Sequence, residues 1–131
     1  TIGFYASPTL AAGLEGAFPG RLEGAPLLLP GTEASVRGPL LRWFETAGLR
    51  PRIVGEFDDS ALMRAFAEAG AGIFPSASLV GDQLCRQAGM VHLGNAEGVT
   101  ETYYAISVER RLTHPAVRAI SEAARSKQKL V

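Results

Sequence analysis

Three short runs hold the residues best placed to do chemistry: Pro30-Gly31-Thr32-Glu33 with Ser35 close behind, Phe57-Asp58-Asp59-Ser60, and Phe74-Pro75-Ser76-Ala77-Ser78. Each follows an apolar, β-branched or aromatic run and leads into a stretch of helical spacing. Each therefore reads as a junction from the C-terminal end of a strand into a helix. Ligands of open α/β sheets bind outside the carboxyl ends of strands, so the three junctions should crowd one edge. Helix N-terminal amides at that edge favour anions, whereas Asp58, Asp59 and Glu33 draw cations, and the two tendencies compete. The structural alternative for Asp58 or Asp59, taken singly, is that it caps the helix beginning near Ser60.

Other chemistries have less support. Ser60, His114 and Asp59 could make a serine, histidine and aspartate triad on paper, but no nucleophile-elbow pattern surrounds Ser60, and His114 stands before a proline at another helix start. His92 and His114 belong to no short-spaced metal motif, and Cys85 is the only cysteine. His92 reads as a strand residue on a solvent or cleft face. The glycines around Gly70 and Gly72 make no dinucleotide fingerprint, and no lysine stands where a phosphate-binding loop needs one. The expectation is a protein without enzymatic activity, cofactor or metal site.

The elements that position these residues follow from periodicity. Strands are expected at Ile2 to Ala6, Leu27 to Leu29, Ile53 to Phe57, Gly72 to Phe74, Met90 to Leu93 and Tyr103 to Val108. Helical spacing links Leu10, Leu14 and Phe18; Val36, Leu40, Phe44 and Ala47; Leu62, Phe66 and Ala69; and Leu79 or Val80 with Leu84 and Ala88. This alternation predicts an α/β fold with a mainly parallel sheet covered by helices. Gly48, Gly70 and Gly89 stand where left-handed C-caps are wanted, and Ser35 can cap the helix holding Trp43. A last helix opens at Thr113 and Pro115 and turns Val117, Ile120 and Ala124 inward. Phe44 is expected in the core, with Trp43 either packed beside it or exposed to a partner. Tyr103 and Tyr104 point to opposite faces of their strand, so one of them can line a cleft.

Length and charge exclude several classes. The chain has 131 residues, 47% of them hydrophobic and 20% charged, which suits one folded domain and excludes a disordered chain. Thirteen basic residues balance thirteen acidic ones, and the only lysines are Lys127 and Lys129, so no basic face announces nucleic acid or anionic lipid. No apolar run approaches the roughly 20 residues of a membrane span. The lone cysteine fits the reducing cytoplasm. Thr1 falls inside a predicted strand with no methionine or signal peptide before it, as expected of a segment of a longer protein.

Four runs then carry a specific likeness: Leu28 to Gly31 (LLPG), Leu40 to Phe44 with Gly48 (LLRWF), Gly55 to Phe66 (GEFDDSALMRAF) and Tyr104 to Ile120 (YAISVERRLTHPAVRAI). Through them the chain resembles the C-terminal effector-binding region of LysR-type transcriptional regulators, and within these the NhaR-type activators of sodium/proton antiporter genes. The likeness covers most of Leu27 to Ile120 and is weak before Pro26.

The resemblance implies a periplasmic-binding-protein-like (type II) fold of two α/β subdomains joined by crossing strands. Residues 7 to 102 would form the second subdomain, and 103 to 131 the return crossing strand and closing helix of the first. Thr1 to Ala6 and Tyr103 to Arg110 would be the crossing segments. It implies a small-molecule or ion effector, a homo-oligomer, and promoter DNA bound only through an N-terminal winged helix-turn-helix absent from this chain. The implied cleft-facing residues are Thr32, Glu33, Ser35, Phe57, Asp58, Asp59, Ser60, Phe74, Pro75 and Ser76. Asp58, Asp59, Ser60 and Glu33 could offer the oxygen ligands that a hard cation such as sodium wants. The helix with Trp43 is a candidate dimer surface. A lobe of a periplasmic solute-binding protein shares the architecture and is the alternative.

Overall fold

The structure is a computed structural model that describes residues 1–100. Five strands and four helices alternate: β1 (Ile2–Ala6), α1 (Pro8–Gly13), β2 (Pro26–Pro30), α2 (Arg37–Ala47), β3 (Arg52–Phe57), α3 (Ser60–Glu68), β4 (Phe74–Ala77), α4 (Ser78–Ala88) and β5 (Val91–Ala96). The expected strand at Tyr103 to Val108 and the helix opening at Thr113 lie outside the described residues, as do Tyr103, Tyr104 and His114.

Burial on both faces explains why β2 is almost wholly apolar. Leu27 and Leu29 are 0% exposed and face one core with Phe4, Leu40, Phe44 and Ile73, whereas Leu28 faces the other with Tyr5, Met63, Phe74 and Leu84. Alternation at period two sends successive side chains into opposite layers. α2 contributes Leu40 and Phe44 to the first layer; α3 and α4 contribute Met63, Ala67 and Leu84 to the second. Trp43 packs beside the first core, its ring 5.4 Å from that of Phe4.

The sheet corrects the expectation of mainly parallel pairing. β2 and β3 are parallel, and Ile73, just before β4, bridges Leu27 in the same sense. β1, however, lies between β4 and β5 and is antiparallel to both. The helical crossovers through α2, α3 and α4 join strands that run together; β1, although α1 lies between it and β2, runs the other way.

Three boundaries also differ. The first helix stops at Gly13, with Leu14 extended, and Phe18 reaches the core from the following loop, its ring 6.1 Å from that of Phe4. Ser35 does not cap α2. Val36 occupies the cap position with helical angles (φ −77°, ψ −18°) and no side-chain cap bond, because the Gly31 to Ala34 turn already leads into the helix, whereas side-chain capping needs an extended residue there. The fifth strand runs on through Gly94 to Ala96, and the Phe18 ring occupies the space where a side chain of Gly94 would lie. Gly48 and Gly89 are left-handed C-caps as expected, and Gly70 is left-handed one residue past the C-cap Ala69.

Gly81 sets the approach of α4 to the sheet. A Cβ there would lie 1.9 Å from Cζ of Tyr5, a residue only 1% exposed. Burial, and after it the charges of Asp82 and Cys85, pushes the Tyr5 phenol above its ordinary pKa, so it stays neutral in this contact. Gly81→Ala is expected to lower the unfolding free energy by about 1–3 kcal/mol through forced displacement of α4. Gly13→Ala, with nothing within 4 Å of the added carbon, should be neutral or stabilising by less than about 1 kcal/mol. Urea unfolding of the two variants checks the contrast.

Candidate functional site

The register of β2 and β3 brings two of the three junctions side by side. Pro30 is level with Phe57, and the Gly31 N–H continues the ladder by donating to the Phe57 carbonyl at 2.8 Å. The residues after these strands, Thr32 to Ser35 and Asp58 to Ser60, therefore share one edge. β4 runs in the same sense as β2, and α4 follows it directly at Ser78. There the amide and hydroxyl of Ser78 both donate to the Thr1 carbonyl at 3.1 Å, tying the entry of β1 to the start of α4.

Asp58 and Asp59 have different roles. Asp59 is extended (φ −103°, ψ 112°), and its Oδ1 accepts from the amides of Ala61 at 2.9 Å and Leu62 at 3.3 Å, so it is the N-cap of α3. Asp58 is exposed and has no side-chain hydrogen bond among the described residues. Its carboxylate lies against the backbone of Gly31, where an added Cβ would fall 1.9 Å from Oδ1. A side chain at position 31 would have to displace that carboxylate.

The other expected residues divide between rim and core. Thr32, Glu33 and Ser60 are exposed. Ser35 is half-buried, and its Oγ is buried with no hydrogen-bond partner among the described residues. Phe57 is half-buried and packs on Phe66 with ring centroids 5.2 Å apart. Phe74, Pro75 and Ser76 lie within β4 rather than beyond it. Phe74 is 4% exposed and belongs to the second core; Pro75 is buried, and Ser76, 8% exposed, donates its hydroxyl to the Ala77 carbonyl at 3.3 Å. The edge thus gathers Thr32, Glu33, Ser35 and Phe57 to Ser60, while Phe74 to Ser76 form the strand beside it.

Arg37 escaped the sequence reading. From the first turn of α2 its Nη1 donates to the Pro30 carbonyl at 2.9 Å and pairs with the Glu56 carboxylate. Nothing in residue spacing marks it, since the pairing depends on the register between β2 and β3.

No three His, Cys, Asp or Glu side chains gather as a metal site among the described residues. His92 is exposed on β5, stacks on Tyr5 at 4.9 Å, and shares a 2.8 Å hydrogen bond with Asn95. A concavity of about 900 Å³ opens at the opposite end of the sheet, lined by Ser7, Glu15, Arg21, Glu23, Arg52 and Glu68 among others. It contains none of the junction residues, and its mixed charges point to no single ligand.

The asymmetry of the two aspartates is directly measurable. Asp59→Ala should cost about 1 kcal/mol of stability through the lost cap, whereas Asp58→Ala should stay within about 0.5 kcal/mol of the parent, both read from denaturant midpoints.

This geometry can be set beside known proteins. The family model described as the LysR substrate binding domain matches residues 1–129. The transcriptional activator protein NhaR of Escherichia coli K12 is 42% identical over 103 residues, covering 79% of this chain and 34% of that protein, and NhaR of Shigella flexneri matches to the same extent. The chain thus spans about a third of the length of these curated relatives. Among solved structures, the apo regulatory domain of HypT from Salmonella typhimurium is similar with a TM-score of 0.59 at 14% identity, covering 93% of this chain and 61% of that one. The AmpR effector binding domain from Citrobacter freundii gives 0.52 at 22% identity, covering 99% of this chain and 64% of that one.

The solved structures bear out the expected type II, periplasmic-binding-protein-like fold. No helix among the described residues is long and apolar enough to cross a membrane. The family is one of transcriptional regulators, which disfavours the transport-receptor alternative. With its strand ends gathered at one edge and the family model matched almost end to end, the chain belongs to the LysR substrate-binding-domain family.

Proposed function

We propose that this chain is the sensing part of a transcriptional activator, and that it takes a small polar effector or ion at the edge formed by Thr32 to Ser35 and Phe57 to Ser60. The observation that carries the site is the division of labour at Asp58 and Asp59: one carboxylate holds a helix, and its neighbour lies beside Gly31 without a protein partner among the described residues. The Thr32 and Glu33 amides find no backbone acceptor among the described residues, so donors and a carboxylate are offered together. That combination suits a polar molecule with both donor and acceptor groups, or a hard cation held through oxygens.

The 42% identity to NhaR supports a role in sodium/proton antiporter gene expression, with sodium as the effector to test. In this reading the effector binds one arrangement of the effector domain better than another and shifts the population, acting on DNA through a homo-oligomer and a DNA-binding domain outside this chain. A ligand with equal affinity for both arrangements would shift nothing. The site of action is the cytoplasm, where promoter DNA lies.

The test uses the intact regulator and a reporter from its promoter, with sodium chloride against potassium chloride at equal ionic strength. Asp58→Ala should raise the sodium concentration for half-response roughly tenfold or more, the effect of losing one charge-assisted contact. Promoter affinity without effector should change less than about twofold. An unchanged sodium response in a normally folded Asp58→Ala protein removes this edge from the effector site.

A further inference from the structure

Arg37 makes two contacts that no local rule of helix formation requires. It lies in the first turn of α2, where a cation is disfavoured by the positive end of the helix dipole. Its guanidinium leaves that end and crosses to the strand ends, where Nη1 donates to the Pro30 carbonyl at 2.9 Å and meets Oε1 of Glu56 on β3. Pro30 is the last residue of β2 and Glu56 the last but one of β3. Glu56 faces the α2 side of the sheet because it is level with Leu29, which belongs to the first core. That register brings its carboxylate within reach.

Two ties therefore join the loop after β2 to the end of β3: Arg37 on the α2 side, and the backbone bond from Gly31 to Phe57 at 2.8 Å. Between them lie Thr32, Glu33 and Ser35, with only turn bonds of their own, Ala34 to Gly31 at 3.0 Å and Arg37 to Ala34 at 3.2 Å. We propose that Arg37 is a positioning residue that clamps the loop of residues 31–36 to β3, so that the two effector-facing junctions move as one unit with the edge strand.

The proposal rests on the reading of this edge as the effector site, and it adds a route by which occupancy would reach β3. That strand exposes Ile53 at 46% and Val54 at 41%. Without the clamp, the Gly31 to Phe57 bond alone would couple the loop to β3. With the clamp, ordering one junction orders the other.

Amide hydrogen exchange on the full chain tests the clamp without any ligand, so its failure is distinct from failure of the effector site. Arg37→Gln should speed exchange at residues 31–36 and 57–59 roughly three- to tenfold, since it removes a carbonyl bond and a partly exposed ion pair. Glu56→Gln should give a smaller rise, and the double variant less than the product of the two, because both remove the same pairing. Arg37→Lys, which keeps the charge and a donor, should restore most of the protection. Wild-type exchange at 31–36 in Arg37→Gln overturns the proposal. So does an equal acceleration in β1 and β5, which would make Arg37 a contributor to global stability only.

Discussion

Burial of the sheet on both faces is the constraint on which the rest of the described structure depends. A strand such as Leu27 to Leu29, 0 to 1% exposed throughout, is stable only if helices cover it on either side, and burying each leucine contributes about 1.5–3 kcal/mol. Covering both faces requires α2 on one side and α3 with α4 on the other. The crossovers through α2, α3 and α4 join strands that run the same way. Once β2, β3 and β4 share a direction, their following loops emerge at one edge, and polar side chains on those loops are brought together without having to attract one another. The gathering of polar residues at that edge is thus a consequence of how the core is covered.

Within that edge, small local energies decide which groups remain available. An aspartate cap contributes about 1 kcal/mol, enough to fix Asp59 in its bonds to Ala61 and Leu62. Asp58, one residue earlier and past the end of β3, instead lies against Gly31. Gly31 then lets the carboxylate approach the backbone more closely than any side chain would allow. A pair of adjacent acids would look redundant as charge; the backbone makes one structural and leaves the other open.

The parts legible in the sequence are those set by local chemistry. Ile2 to Ala6 stands as expected, and so do the cap glycines Gly48 and Gly89, because apolar runs and left-handed glycines carry their own signals. Asp59 as a cap was one of two stated possibilities. What escaped depended on partners distant in the chain. The antiparallel insertion of β1 is decided by β4 and β5, more than 65 residues away; its own sequence reads the same in either direction. Phe74, expected at a strand end, is a core residue within β4, because pairing with β1 makes Phe74 the start of the strand rather than its end. Arg37 was invisible because its partners are a carbonyl and a carboxylate brought near only by inter-strand register.

The same logic bears on how an effector could act through this edge. Thr32, Glu33, Asp58 and Ser60 are all exposed, so they form an open rim and not an enclosed pocket. A ligand touching only an open rim stays largely hydrated and gains little beyond weak, screened electrostatics. Tight and selective binding would need further groups to remove it from water. The same requirement would suit a sensor. If affinity depends on a second surface closing over the rim, the ligand binds the closed arrangement better than the open one, and that difference in affinity is the free energy available to shift the population. An effector fully held by this edge alone could bind tightly and regulate nothing.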